Sequence, residues 1–211
     1  MKKLIAAFVG SMALASAPVA LSAEATKELK MAYDADPVTL DIHEQLSGGI
    51  LQLSHMTFDP LLRWTKDLGF EPRLAESWTR VDENTMRFKL REGVTFHSGN
   101  ELTTADVKFT FDRLKQSQDF KAIFKPFSGI NIIDDYTFEL VTSDPYPLLL
   151  NTATYIFPFD SEFYSGQTED GKDKSAILKH GNSFASENLS GTGPYTVTER
   201  KQGVRVEFER F

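Results

Sequence analysis

The clearest pattern along the chain is an alternation of apolar and polar side chains, which is typical of strands that bury one face. In the run 85–90, Met86, Phe88 and Leu90 occupy one side and polar residues the other. Residues 204–208 alternate in the same way. Shorter apolar runs beside turn-forming residues predict further strands at Leu29–Tyr33, at Leu61–Trp64, at Val94 and Phe96 as a continuation of the sheet, and in a hairpin of Ile130–Ile133 with Thr137–Val141.

Helical periodicity is strongest near the middle of the chain. Val107, Phe111 and Leu114 recur at the i, i+4, i+7 spacing of one helix face. Thr103 is a favourable N-cap, and Asp106 three residues later completes a capping-box pattern. Strands and helices in one chain indicate an α+β or α/β fold. A second helix is predicted at Ile50–Phe58, with Leu51, His55 and Phe58 on one side.

The first 25 residues have the pattern of a secretory signal peptide. Two lysines at positions 2 and 3 precede an apolar run over residues 4–15, and Ala23-Glu24-Ala25 fits the small-x-small cleavage rule. The run is shorter than the roughly 20 apolar residues that a transmembrane helix needs. We expect cleavage after Ala23 or Ala25, export to the periplasm and no stable membrane anchor afterwards. A buried N-terminal helix and an uncleaved anchor are the alternatives.

Charge and cysteine content exclude several classes of protein. The 211 residues contain 23 Lys and Arg against 30 Asp and Glu, a formal net charge of −7. Binding to nucleic acid is not expected, because neutralising phosphates requires a surplus of cations. The sequence contains no cysteine, which excludes disulfides, thiolate zinc sites, a cysteine nucleophile and a lipid-bearing cysteine within it.

Short motifs that suggest catalysis or metal binding are incomplete in this sequence. His43-Glu44 begins the zinc-protease pattern HExxH, but position 47 is Ser rather than the second His. Gly191 and Gly193 lack the third glycine of a dinucleotide-binding loop, and no serine lies in a G-x-S-x-G elbow. We therefore expect neither an enzyme nor a metal or cofactor site. The remaining histidines are far apart in sequence and fit surface or packing positions: His55, His97 and His180.

Five sequence segments together resemble one known family. Three follow one another closely: Ala-Glu-Ser-Trp at 75–78, Phe-Lys-Leu-Arg-Glu-Gly-Val-Thr-Phe-His-Ser-Gly at 88–99, and Leu-Thr-Thr-Ala-Asp-Val-Lys-Phe-Thr-Phe at 102–111. The outlying pieces are Pro-Val-Thr-Leu-Asp at 37–41 and Ser-Gly-Thr-Gly-Pro-Tyr at 190–195. In order and spacing they resemble the family 5 solute-binding proteins of bacterial ABC importers, a family that binds oligopeptides, dipeptides and nickel complexes.

The resemblance implies a type II periplasmic-binding-protein-like fold that is present here in part. It assigns residues 26–57 to the first segment of lobe I, 58–186 to an inserted mixed α/β domain, and 187–211 to the return segment of lobe I, all after the signal peptide at 1–25. Lobe III of the family has no counterpart in the sequence. We therefore expect the chain to be an N-terminal fragment, from a natural truncation, a pseudogene or a partial sequence.

The function that the resemblance implies is capture of a peptide or peptide-like solute for an inner-membrane ABC permease. The resemblance places the loop of Leu46, Ser47 and Gly48 beside the ligand cleft, where small residues let a ligand approach the backbone and Gly48 can adopt a positive φ. A plain loop before a helix is the alternative. Nickel, haem and oligosaccharides are other possible solutes, and an interaction module or an exported hydrolase are other possible functions. We expect weak peptide binding, because a two-lobed site buries most of its ligand only when both walls are present. The resemblance also implies that the family's ligand-clamping residues lie in the missing part.

Overall fold

The structure of the chain, a computed structural model, describes residues 28–32 and 36–211. The signal peptide predicted at 1–25 lies outside these residues. The chain divides into two units, Met1–Tyr33 and Asp34–Phe211. Residues 28–32 of the first unit have no regular secondary structure, so the strand predicted from Leu29 is wrong there. A short apolar run does not by itself supply the hydrogen-bonded neighbour that a strand needs. No helix within the described ranges is long and apolar enough to cross a bilayer.

Over residues 36–211, the second unit mixes helices with short strands, in agreement with the predicted fold class. The helices are α1 (Gly48–Thr57), α2 (Thr104–Gln116), α3 (Leu149–Ala153) and α4 (Ser161–Tyr164), with a 3₁₀ turn at Phe184–Ser186. The strands are β1 (Leu62–Trp64), β2 (Phe70–Pro72), β3 (Ala75–Arg80), β4 (Thr85–Leu90), β5 (Phe127–Ile132), β6 (Thr137–Thr142), β7 (Tyr195–Lys201) and β8 (Arg205–Arg210).

The largest sheet has four antiparallel strands in the order β3-β4-β6-β5. The strand predicted over 85–90 is β4, which pairs with β3 on one side and β6 on the other. The predicted hairpin is β5–β6, and its first strand begins at Phe127, earlier than the predicted Ile130. Two further antiparallel pairs, β1–β2 and β7–β8, are separate from this sheet in the described residues.

Val94 and Phe96 do not continue the sheet, contrary to the prediction. After β4, Gly93 takes a positive φ of 71° that turns the chain away from the strand direction. Thr95 then makes only an isolated bridge. The carbonyl of Phe96 closes a turn by accepting the Gly99 N–H at 2.9 Å, while the Phe96 ring is buried.

The apolar faces predicted for β4 and for α2 are buried in one cluster. The rings of Phe88 and Phe138 stack across the β4–β6 pair with centres 5.3 Å apart. Phe111 of α2 meets Phe124 and Phe127 edge to face. We call this cluster the sheet core, and its buried members are Leu61, Leu62, Leu74, Ala75, Met86, Phe88, Leu90, Phe96, Leu102, Val107, Phe111, Leu114, Phe120, Phe124, Phe127, Ile130, Phe138, Leu140, Leu149, Ala153 and Ile156.

Helix α1 begins two residues before its predicted start. Its buried residues are Ile50, Ser54 and Thr57. Ser54 can be buried because its Oγ donates a hydrogen bond of 2.8 Å to the Ile50 carbonyl. Of the three residues predicted to share one side, Phe58 is fully buried and Leu51 packs half-buried against a second apolar cluster, whereas His55 is exposed.

Candidate functional site

A groove of about 250 Å³ lies between α1, β1 and the segment that follows α3. Leu62, Thr154 and Phe157 are its buried members, and Trp64 and His55 are exposed at its rim. Small ligands bind in concave sites that combine apolar walls with a few polar groups, so this groove is the candidate functional site. Its lining consists of Leu51, His55, Leu62, Arg63, Trp64, Thr154, Tyr155 and Phe157.

Ring side chains make up much of the groove wall. Trp64 packs at a tilt on Phe70 of β2, with ring centres 4.5 Å apart, and 39% of Trp64 stays exposed. His55 meets Phe157 edge to face at 5.1 Å. Tyr155 completes the wall and is half-buried against the sheet core. Because neighbouring rings support one another, a ligand would meet a wall that is largely formed in advance.

The charges at the groove compensate one another. Arg63 contacts Glu71 Oε1 through Nη2 at 2.5 Å and through Nε at 2.7 Å, and Arg73 approaches the same oxygen at 3.6 Å. Partial burial raises the pKa of Asp59, although the Arg73 charge opposes that shift. Partial burial, followed by the charge of Arg63, lowers the pKa of His55, which favours a neutral imidazole at pH 7. Two arginines therefore face two carboxylates, without an excess of either sign.

The three residues predicted to contact a ligand lie together at the start of α1. Leu46 packs its side chain against the sheet core, and its N–H donates to Asp119 Oδ2 at 2.9 Å. Ser47 is the N-cap, and its Oγ accepts the Ile50 N–H at 3.4 Å. Gly48 is the first helical residue and does not use the positive φ that a glycine permits. It is exposed, and a Cβ added there would meet no atom within 4 Å.

A tight turn at 191–193 holds the C-terminal end of α1. The Gly193 N–H donates to the Thr57 carbonyl at 3.0 Å. A Cβ on Gly191 or on Gly193 would overlap the backbone where Thr57 is followed by Phe58. These two glycines are therefore required by the close approach of two backbones, which gives a structural reason for the pattern that resembled a nucleotide loop.

His97 fastens the same turn and is a packing residue, as its sequence context indicated. Its backbone N–H donates to the Gly191 carbonyl at 2.8 Å, and its Nδ1 accepts the Gly191 N–H at 3.3 Å. Nε2 lies 2.9 Å from the Gly193 carbonyl and must donate to it. This arrangement fits a neutral ring only, and partial burial lowers the pKa of His97 accordingly.

Asp160 is a buried carboxylate that joins this turn to the loop around His97. It accepts hydrogen bonds from Ser98 Oγ at 2.5 Å, Ser190 Oγ at 3.1 Å and Asn100 Nδ2 at 3.0 Å. The Phe163 N–H of α4 donates to it as well, at 3.0 Å. These hydrogen bonds satisfy both oxygens of the buried carboxylate, so Asp160 holds these segments together.

His43, the residue considered for zinc binding, belongs to a buried ion-pair network. Arg113 holds Asp41 in a bidentate pair at 2.8 and 2.6 Å, and its Nη1 donates to His43 Nδ1 at 2.9 Å. Burial would raise the pKa of Asp41, but the Arg113 guanidinium outweighs it and the pKa lies below the usual range. Burial, together with the Arg113 charge, lowers the pKa of His43 to about 3. Across residues 28–32 and 36–211, no three His, Cys, Asp or Glu side chains cluster as metal ligands would.

Sequence analysis missed most of the groove. Trp64 ends a predicted strand, but no short motif links it to Tyr155, because the two residues are about 90 positions apart in the printed sequence. The usable signal was on α1. Leu51 and His55 form a helix stripe that the structure leaves outside the sheet core, and both line the groove.

Comparisons with known proteins agree with the sequence motifs. The family described as bacterial extracellular solute-binding proteins, family 5 Middle, matches residues 69–211. The uncharacterized protein YhjP of Bacillus subtilis is 35% identical over 152 residues, which are 71% of this chain and 23% of YhjP. The glutathione-binding protein GsiB of Escherichia coli is 24% identical over 205 residues, which are 95% of this chain and 38% of GsiB. The chain thus spans less than two fifths of the length of these relatives.

The fold is also that of a solved relative. The oligopeptide-binding protein AppA of Bacillus subtilis, in complex with a nonapeptide, superposes with a TM-score of 0.73 and 21% identity, covering 84% of this chain and 35% of AppA. The chain therefore has a type II periplasmic-binding-protein fold over about a third of that structure. Because the family match covers more than half of its residues, the chain belongs to the bacterial extracellular solute-binding proteins of family 5.

Proposed function

We propose that the chain is part of the solute-binding component of an ABC importer, and that the captured solute is a peptide or a peptide-like molecule. Membership of family 5 supports solute binding. The names of two similar proteins, one glutathione-binding and one oligopeptide-binding, favour a peptide over nickel, haem or an oligosaccharide. We propose, further, that the protein is exported to the periplasm and delivers its solute to an inner-membrane permease.

The observation that carries this proposal is the groove beside α1. Leu51 follows Gly48 by one helical turn and His55 by two, so the helix that begins at the predicted ligand residues also lines the groove. A solute in the groove could extend along α1 toward Ser47 and Gly48, where the absence of a side chain leaves the backbone open. Leu46 would act by its position in the loop, which Asp119 fixes through its N–H.

The direct test of the proposal is a calorimetric titration of the purified chain with a pool of di- to pentapeptides. Glutathione, nickel–histidine, haem and an oligosaccharide serve as parallel titrants. Because the chain spans only 23% to 38% of its relatives, we expect peptide affinity near 1 mM rather than the roughly 1 μM of a complete site. Heat from the peptides alone would support the proposal. Saturable heat from nickel, haem or sugar alone would overturn the choice of solute, and no heat from any titrant would overturn solute binding.

A pair of variants tests the place of Gly48. Gly48 and Gly49 are adjacent, both exposed, and a Cβ on either would meet no atom within 4 Å. Each change to alanine should therefore leave the fold intact. We expect Gly48→Ala to weaken peptide binding by about tenfold, because a methyl group would separate the ligand from the backbone, and Gly49→Ala to change it little. Equal affinity for both variants would remove Gly48 from the site.

A further inference from the structure

We propose that the groove is a subsite for one flat, uncharged ring of the captured solute, such as the side chain of an aromatic residue. The inference rests on the proposed function, since it names a part of the solute. It is argued from the size, the walls and the charge of the groove. The groove is lined by Leu51, His55, Arg63, Trp64, Tyr155 and Phe157, with Leu62 and Thr154 beside them.

The size of the groove suits one ring. Its volume is about 250 Å³. A closed apolar cavity of about 150 Å³ holds one benzene molecule. The groove is open to solvent on one side, so part of its volume stays wet. It can therefore take a phenyl or an indole group, but not two such groups together.

The walls of the groove present ring faces and edges. Trp64 has Phe70 behind it and keeps 39% of its surface exposed, so one side of its indole is free to stack. His55 is fixed edge to face on Phe157, and Tyr155 stands beside them. Rings prefer offset-stacked or edge-to-face neighbours with centres about 4.5–7 Å apart, a geometry that this wall offers to an incoming ring. A saturated ring of equal volume would gain area but lose this geometry.

The charge of the groove disfavours an ionised side chain. Glu71 already takes both contacts of Arg63, and Arg73 lies 3.6 Å from the same oxygen. Asp59 and Glu71 balance the two arginines. A carboxylate that enters the groove would lose water, and the guanidinium that lines the groove, Arg63, is already paired with Glu71. An ammonium would also lose water and would meet no acidic side chain in the lining. The site should therefore discriminate against lysine and aspartate side chains.

The two tryptophans of the sequence allow a direct measurement. Trp64 lines the groove, whereas Trp78 lies on β3 and packs against the sheet core. In the Trp78→Phe variant, fluorescence excited at the red edge of tryptophan absorption reports on Trp64 alone.

The probes are N-acetyl-phenylalaninamide, its cyclohexylalanine analogue, N-acetyl-lysinamide and N-acetyl-aspartic acid amide. The aromatic probe should shift the emission with a dissociation constant on the order of millimolar, the scale of so small a ligand. The cyclohexyl probe should bind about threefold more weakly, and the charged probes at least tenfold more weakly.

A matched pair of helix variants locates the binding. Leu51 and Leu53 are both half-buried on α1, but Leu51 lines the groove while Leu53 faces the β7–β8 side. Leu51→Gln in the Trp78→Phe background should raise the dissociation constant of the aromatic probe at least fivefold. Leu53→Gln should leave it unchanged. Circular dichroism confirms that both variants are folded.

Each outcome bears on the subsite separately from the proposed function. Equal binding of the phenyl and cyclohexyl probes, or tighter binding of a charged probe, overturns the preference for a flat uncharged ring. Emission that depends on protein concentration without any probe shows that a second copy covers the groove, and it also overturns the subsite. If the peptide pool gives heat in calorimetry while the aromatic probe leaves Trp64 unaffected, the subsite fails and the proposed function stands. If the probe binds as expected and no peptide does, the subsite stands as a ring-binding site and the choice of a peptide solute fails.

Discussion

Helix α2 separates two regions of the molecule that are equally buried but differ in chemistry. One stripe of the helix enters the sheet core: Val107, Phe111 and Leu114. The other stripe lies one position earlier at each turn and is also buried: Asp106, Thr110 and Arg113. Apolar residues are buried by any close-packed neighbour, whereas polar residues need particular partners. The apolar stripe therefore shows which part of the packing follows from hydrophobic burial, and the polar stripe shows which part requires hydrogen bonds of defined geometry.

The partners of the polar stripe come from three distant segments, around Asp41, around Phe159 and around Ser175. Asp106 Oδ1 accepts the Ser161 N–H at 2.8 Å, and Thr110 Oγ1 accepts the Phe159 N–H at 2.7 Å. Arg113 pairs with Asp41 and places its guanidinium 4.8 Å from the centre of the Phe159 ring. We call this region the polar junction; its residues are Asp41, His43, Asp106, Thr110, Arg113, Phe159, Asp160 and Ser161. It fixes the segment before α1, and with it the helix that carries the groove.

The largest effect is expected from breaking the ion pair of the polar junction. Arg113→Met should destabilise the chain by about 5 kcal/mol, because it leaves the Asp41 carboxylate buried without its cation. The substitution also removes the donor to the Ser175 carbonyl. Urea unfolding followed by circular dichroism measures the loss. A loss of less than about 1 kcal/mol would mean that water reaches Asp41 in the folded chain.

A double variant distinguishes two causes of the lost stability, the unpaired charge of Asp41 and the lost packing of the Arg113 side chain. Asp41→Asn keeps an oxygen that can accept the His43 N–H, which Asp41 Oδ1 now accepts at 3.0 Å, but it carries no charge. Asp41→Asn combined with Arg113→Met should therefore be more stable than Arg113→Met alone. A double variant that is less stable than the single variant would show that packing, rather than charge, dominates this region.

In the sheet core, the corresponding test is Phe111→Ala. The Phe111 ring is 2% exposed and contacts Phe124 and Phe127 edge to face. We expect a loss of about 4 kcal/mol, the usual cost of truncating a large buried side chain to leave a cavity. The same urea assay applies. A loss below about 1 kcal/mol would indicate that the aromatic neighbours collapse into the space.

The sheet core was predictable because its signals are short and periodic. Alternation over 85–90 identified β4 and its buried side. The apolar runs at Ile130–Ile133 and Thr137–Val141 identified the hairpin, and the 107/111/114 spacing identified the inner face of α2. In the capping box, Asp106 Oδ2 accepts the Thr103 N–H at 2.8 Å, as predicted. In each case a window of a few residues contains the whole physical reason for the structure.

The polar junction was not predictable in this way. Asp106, Thr110 and Arg113 have helical spacing, but a polar stripe usually indicates the solvent face of a helix. Their burial depends on partners 49 to 72 positions away in the sequence. The same limit applies to α1, because its sequence does not show that a local hydrogen bond buries Ser54 or that Leu51 lines the groove. Only the three-dimensional structure shows that Leu51 and His55 of this helix line the groove.

A smaller effect is expected from acid, and it should arise mainly in the polar junction. The pKa of His43 is lowered from 6.5 to about 3. Below pH 6.5, His43 is therefore protonated in the unfolded chain but stays neutral in the folded chain. Stability should fall as the pH is lowered, by about 2 kcal/mol between pH 7 and pH 5 from this group. His97, whose pKa is lowered as well, should add to the same trend.

The control for the acid effect is His43→Gln, compared with the unaltered chain by urea unfolding at several pH values. The variant lacks the titrating ring, so its stability should fall less steeply between pH 6.5 and pH 5. Its absolute stability at pH 7 does not enter the comparison, since only the slope is measured. An unchanged slope would show that His43 takes up a proton in the folded chain.

The smallest effect, and the sharpest comparison of the two stripes, comes from exchanging Val and Thr, which have nearly the same shape. Thr110→Val in the polar junction makes α2 more hydrophobic, yet it leaves the Phe159 N–H without its acceptor. We expect a loss of about 1 kcal/mol, because an unsatisfied buried N–H outweighs one gained methyl contact. Val107→Thr in the sheet core should lose about as much, since it buries a hydroxyl among apolar side chains. If hydrophobic burial alone governed both stripes, Thr110→Val would instead raise the urea midpoint, and the distinction between the two regions would disappear.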